Sequence, residues 1–295
     1  MFQESSSSSF VQTQPLTAKG ALAVLPLGYL GAAFAFSWMF WLFPVALGQG
    51  WIAWPWVAPA KIPLIMAGSF GPFLAAFALS FRGGGKRAAW QFGRRALRWR
   101  IPVGIVVLAL LLFPALAALA ISLHALGGGA PLSPLLSWSQ VPWIFFLMFF
   151  IGGAFQEEFG WAYAIDHLQR RWHALPAAAL LGVIWAFWHL PLFFIPGLTQ
   201  TYLPFWSFVL TTTCFRILFV WAYNASRHSI LTPLLFHASL NFSLNLFSLV
   251  DRRDGVRQTD WLYFCALSTI ATLPVISQLW RAPARHAGQA LPDSD

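Results

Sequence analysis

Charge is what this sequence has least of. Only 9% of its 295 residues are charged, against about a quarter in a soluble domain, which excludes an ordinary water-soluble globule. Cysteine is nearly absent, and Cys214 and Cys265 both sit in apolar runs. That excludes a disulfide framework or a cysteine metal cluster and leaves two small buried hydrophobes. No HExxH occurs. The glycine stretch Arg82, Gly83, Gly84, Gly85, Lys86, Arg87 lacks the GxxxxGK[ST] spacing of a phosphate loop. No internal repeat and no linker of soluble-domain character is visible. The formal charge of +9 has no soluble basic face to occupy, so it argues for membrane lipids as partners and against nucleic acid.

What the chain does have is hydrophobic length: 58% of its residues are hydrophobic and 17% aromatic. A helix needs about 20 mostly apolar residues to cross a bilayer, because each backbone polar group must be satisfied within its own segment. Spans are expected near residues 21–47, 63–81, 101–127, 141–165, 176–196, 203–224, 229–250 and 260–280. The expected fold is all-α, a polytopic membrane bundle of about eight transmembrane helices. Residues 1–20, with the serine run Ser5 to Ser9, read as a disordered cytoplasmic tail. Residues 21–281 form the membrane domain, and 282–295 a second cytoplasmic tail. The first span is too long for a cleavable signal peptide and reads as an anchor.

Lys and Arg collect on cytoplasmic loops. An inner side holding Lys19, the Arg82 to Arg100 cluster, Arg170, Arg171, Arg227, Arg281 and Arg285 takes thirteen of the eighteen; Lys61, Arg252, Arg253 and Arg257 fall outside. Both termini are therefore expected in the cytoplasm. The Arg82 to Arg100 segment, which also carries Trp90, Phe92 and Trp99, suits either an amphipathic helix at the anionic inner surface or a solvated basic loop.

Ionisable groups inside a bilayer cost about 2.5–3.5 kcal/mol each even on the lenient insertion scale, so each calls for a reason. Of nine acids, only Glu157 and Glu158 lie inside a span, side by side. Two adjacent carboxylates in low dielectric cannot both ionise cheaply, which is the setting of a general acid or base. His189 and His237 also fall deep in spans, with Trp185 one turn before the first and Asn241 one turn after the second. At 1.5 Å per residue Glu158 and His237 lie at similar depths, about 12 and 15 Å from the inner boundary. Arg216, at about 16 Å, is the natural counter-ion to Glu158. His124, His167, His173, His228 and His286 read as interfacial or solvated.

With these residues in hand, the chain resembles the CPBP family of CAAX proteases and bacteriocin-processing enzymes. The Glu157, Glu158 pair with Phe159, Gly160, Trp161 resembles the family's EExxxR motif. Trp185 to His189 is similar to FxxxH, with Trp in the Phe place, and His237 to Asn241 to HxxxN. The order is right, and the stretch from Phe155 to Asn245 is about a third of the chain. One position departs: Ala162 stands where the family carries Arg, and Arg216 is the buried cation available to compensate.

The resemblance implies an intramembrane endopeptidase acting on a peptide or prenylated protein, with Glu157, Glu158, His189, His237 and Asn241 as its catalytic residues. Glu157 would deprotonate water, His189 hold it, His237 and Asn241 stabilise the oxyanion, and Glu158 orient its neighbours. No cofactor is required in that scheme. The same residues admit a zinc scheme with His189, His237 and a glutamate as ligands. Two further readings are an inactive family member that binds or confers bacteriocin immunity, and a proton-coupled transporter, for which the inverted repeats are missing. The hydrolase needs its carboxylate and both imidazoles on one cavity, expected open to the cytoplasmic side.

Overall fold

The computed structural model describes residues 26–54, 57–129, 137–247, 249 and 258–281. The expected disordered N-terminal tail, the C-terminal tail, and Arg252, Arg253 and Arg257 lie outside the described residues.

Among the described residues the regular structure is helical throughout: α1 (Leu27–Gly48), α2 (Val57–Ser69), α3 (Gly71–Gly93), α4 (Val103–Leu126), α5 (Val141–Phe150), α6 (Ala154–Gln169), α7 (Ala174–Trp188), α8 (Phe205–Ala225), α9 (Leu231–Leu246) and α10 (Gln258–Arg281). Short 3-10 turns follow α3 at Arg94–Leu97 and α7 at Leu190–Phe194, with another at Thr199–Tyr202. The all-α membrane bundle is thus present, and its helices are roughly consistent with the eight spans expected. Six of these segments are long and apolar enough to cross a membrane. The sixteen-residue α6 and α9 are not among them. They fall short in length, and they carry Glu157, Glu158, His237 and Asn241.

Two expected spans are broken. The second divides at Phe70, where Pro72 opens α3 and Gly71 packs on α1: a Cβ there would stand 2.1 Å from Ser37 Oγ. The fourth, expected as one helix over 141–165, is interrupted between Phe150 and Ala154. Gly153 adopts φ +113° there, a conformation open to glycine and strained for any residue with a Cβ. An apolar stretch gives no hint of such a break, because hydropathy records composition and not dihedral angles.

The bundle closes through small residues. Tyr29, Ala33, Ser37, Trp41 and Val45 form the buried stripe of α1 at four-residue spacing. A Cβ on Gly160 would lie 2.4 Å from Pro72 Cβ, so α6 rests directly on α3. A Cβ on Gly182 would lie 2.6 Å from Thr213 Cα, so α7 and α8 pack equally closely and bring Arg216 into the bundle.

One end of the molecule is basic. Arg95 pairs with Asp166 at 2.7 Å, Tyr223 donates to the same carboxylate at 2.9 Å, and Arg98 bonds the Arg227 carbonyl at 2.9 Å. The α3 chain bends at Gly84 and Gly85 and turns back so that Phe92 packs on Phe77 at 5.4 Å. Trp90, Leu97 and Trp99 remain exposed beside the arginines, the composition of an interfacial segment.

Candidate active site

Glu157 and Glu158 occupy the first turns of α6, just past the break, where a helix N-terminus favours negative charge. Both are buried, yet their partners differ. The Glu158 carboxylate takes a bidentate pair from Arg216 of α8, at 2.7 and 3.0 Å, and His237 Nδ1 of α9 donates to it at 2.8 Å. Arg216 also lies over the Trp185 ring at 4.2 Å. The counter-ion expected from depth is therefore in place. Ala162 lines a residual space of about 10 Å³ beside this pair, room for about one water. Its short side chain leaves Arg216 free to reach Glu158 from the neighbouring helix.

Among the described residues Glu157 has no cation. Its Oε2 accepts from the indole N–H groups of Trp185 at 2.6 Å and Trp161 at 3.3 Å. Its Oε1 turns toward Gly153. A Cβ built on Gly153 would meet Glu157 Oε1 at 2.9 Å, Asn241 Nδ2 at 3.2 Å and His237 Nε2 at 3.4 Å. Three polar atoms from α6 and α9 thus surround a space that exists because residue 153 has no side chain. Gln156 holds the break, accepting from the Gly153 N–H at 2.8 Å and donating to the Met66 carbonyl at 3.4 Å. Asn241 Nδ2 secures it from α9 by donating to the Gly152 carbonyl at 2.6 Å.

His189 stands at the end of α7, where Pro191 stops the helix. Its Nδ1 bonds the Trp185 carbonyl at 2.9 Å. A carbonyl only accepts, so Nδ1 carries the proton and the neutral ring presents a lone pair at Nε2. His189 and His237 flank the Trp185 indole, with centroids 5.8 and 5.3 Å away. Both imidazoles, Glu157 and Asn241 line one cavity of about 280 Å³. All five sequence candidates are gathered here: four line the cavity, and Glu158 sits behind His237. Trp161, Gln156 and Gly153 join them. In sequence all three lie within one expected fourth span, and only the facing geometry reveals their bonds.

The cavity runs from Glu157 past Trp41, Leu192, Gln200 and Trp261, toward the end of the bundle where Lys61 bonds the Pro196 carbonyl. That is the end away from the arginine cluster.

Among the described residues no three His, Cys, Asp or Glu side chains gather as ligands for one metal ion.

Residues 138–243 match the profile of the type II CAAX prenyl endopeptidase Rce1-like family. CAAX prenyl protease 2 of Methanococcus maripaludis is 28% identical over 221 residues, covering 70% of this chain and 80% of its own. These matches support the CPBP family of CAAX proteases, and with it endopeptidase activity in the membrane and an integral multi-pass protein. The matched stretch contains every residue of the Glu157, His189, His237 and Asn241 constellation, from α5 to α9. In CPBP terms, Ala162 replaces the first motif's arginine, and Arg216 supplies a guanidinium from α8.

Proposed function

We propose that this protein hydrolyses a peptide bond of a membrane-associated substrate by water that Glu157 activates. The observation that carries the reading is the convergence of Glu157 Oε1, His237 Nε2 and Asn241 Nδ2 on the space beside Gly153. A water there lies within reach of a carboxylate base, and two nitrogens face the oxygen of a carbonyl placed against it.

The water's proton passes to Glu157 as its oxygen attacks the scissile carbonyl carbon. His189 Nε2 accepts a hydrogen bond from the same water and orients it. The resulting oxyanion is stabilised by the Asn241 amide and by His237 as an imidazolium, whose positive charge Glu158 offsets through Nδ1. As the C–N bond breaks, Glu157 returns its proton to the departing amine. Arg216 keeps Glu158 ionised and fixed, so that Glu158 positions His237 and does not compete for the water. The Trp161 and Trp185 indoles hold Glu157 in one rotamer without neutralising it.

A prenylated CAAX-type C-terminus is one substrate of this class, and the Methanococcus relative's name specifies it for that protein. Both termini are assigned to the cytoplasm on the basic-residue count, so the cavity faces the outer half of the bilayer. The test is cleavage of a C-terminally lipidated peptide by the protein in proteoliposomes, read by mass spectrometry. Glu157→Gln should abolish product while leaving the folded protein intact. Unchanged cleavage in that variant, or none by the parent, would end the hydrolase reading in favour of a binding protein.

A further inference from the structure

The basic end of the molecule is a folded surface with an inner and an outer side. Beyond the bend at Gly84 and Gly85, where Gly85 takes φ +64°, the chain from Lys86 to Leu97 continues as helix and 3-10 turn against the bundle. Its inner side is fixed. Phe92 packs on Phe77, Phe159 and Tyr163 at 5.4, 6.3 and 6.0 Å, and the buried Arg95 is held by Asp166 at 2.7 Å. The Arg95 carbonyl accepts from the Ile230 N–H at 3.2 Å, and the Arg98 carbonyl from the Ser229 hydroxyl at 2.7 Å.

The outer side is a row of cations and large apolar groups. Lys86, Trp90 and Arg94 follow at four-residue spacing, with Leu97 three residues on. All four are exposed, and so are Arg87 and Arg100. No acid occurs between Gly71 and Pro102. Among the described residues Asp166 is the only acid at this end, and Arg95 and Tyr223 take its two oxygens. A solvated basic loop has no use for exposed indoles, yet Trp90, Leu97 and Trp99 are 66%, 68% and 74% exposed among these cations. That mixture matches a medium that passes from charged to apolar over a short distance. The segment also runs on directly from a stretch long and apolar enough to cross a membrane, so it emerges at headgroup level.

We propose that this elbow is a docking surface for anionic phospholipid headgroups of the leaflet at the basic end. Lys86, Arg87 and Arg100 pair with headgroup phosphates, while the two indoles and Leu97 enter the boundary between headgroups and acyl chains. A nucleic acid or an acidic soluble protein would meet the charges and leave the indoles without an apolar medium. The anchored backbone separates this surface from a general basic bias, because side chains on a fixed scaffold lose less freedom on pairing than those on loose chain. Such contacts set how deep this end of the bundle sits.

The test uses the full chain in nanodiscs of phosphatidylcholine with a minor share of phosphatidylglycerol. Lipids retained by the released protein are counted by native mass spectrometry. Phosphatidylglycerol should be enriched about fivefold over its share of the bilayer, the effect of about one cation at an anionic surface. Lys86→Gln combined with Arg87→Gln should remove most of that enrichment. Arg170→Gln combined with Arg171→Gln takes the same charge from exposed positions outside the elbow and should leave most of it. Retention in proportion to bilayer composition by the parent protein overturns the proposal, and that comparison needs no variant. Equal losses in the two double variants also overturn it, since a diffuse basic face would give that result.

Discussion

The Arg95–Asp166 pair at the basic end and the Arg216–Glu158 pair in the core have the same shortest contact, 2.7 Å, yet they serve different ends. Around Asp166 every group is engaged: Arg95 and Tyr223 take its two oxygens, and the Arg95 backbone caps the start of α9 through Ile230. The network is closed and joins helices. Around Glu158 both carboxylate oxygens are likewise taken, though the buried Arg216 Nε has no partner among the described residues, and beside it stands a second acid, Glu157, with no cation among those residues and an edge on a cavity. A buried polar network that satisfies all its members rigidifies a fold. One that leaves a single carboxylate facing an enclosed space has the means for chemistry.

The sharpest break of that comparison is Glu157→Gln, expected to lower the cleavage rate by about 10²–10⁴-fold with little change in thermal stability. Next is Arg216→Met, which strands Glu158 in the core. Removing one partner of a buried pair costs about 3–5 kcal/mol, and both the melting temperature and activity should fall. Arg95→Met leaves Tyr223 on a carboxylate nearer the surface; it should destabilise less and spare the chemistry of what remains folded. Similar stability losses with similar residual rates in the two variants would erase the distinction between the networks.

Gly153→Ala probes the open edge directly. The methyl would enter the space between Glu157, Asn241 and His237, and the positive φ adds strain of about 1–3 kcal/mol. Activity should drop more than substrate binding, measured on the same lipidated peptide. The smallest expected effect is from chelation: prolonged treatment with a zinc chelator should leave the rate unchanged, and loss restored by zinc would replace the glutamate mechanism with a metal one.

Much of this site could be named from residue types. Glu157, Glu158, His189, His237, Asn241 and Arg216 stand out because polar side chains in apolar spans are costly and therefore few. Trp185 stands out only as the neighbour of His189, and neither its bond to Glu157 nor that of Trp161 is legible, because an indole in a greasy helix packs as a hydrophobe until its N–H is seen to meet an acceptor. Gly153 and Gln156 were hidden within what reads as one continuous fourth span, and the break itself depends on a backbone angle. The direction of the cavity was equally invisible, since hydropathy and charge order the spans without saying which helices part to make a mouth.

By itself the sequence determined that the chain is an all-helical bundle of the bilayer and which few ionisable groups need a purpose there. Burial of charge is a cost each residue carries wherever the helices pack. The Arg216–Glu158 pair was expected from depth, but only the tertiary structure decided that the indoles go to Glu157, and hence which acid faces the cavity. That choice is made by atoms on α6, α7, α8 and α9 meeting within 3.3 Å, a matter of helix rotation and close approach at glycines that no one-dimensional pattern encodes.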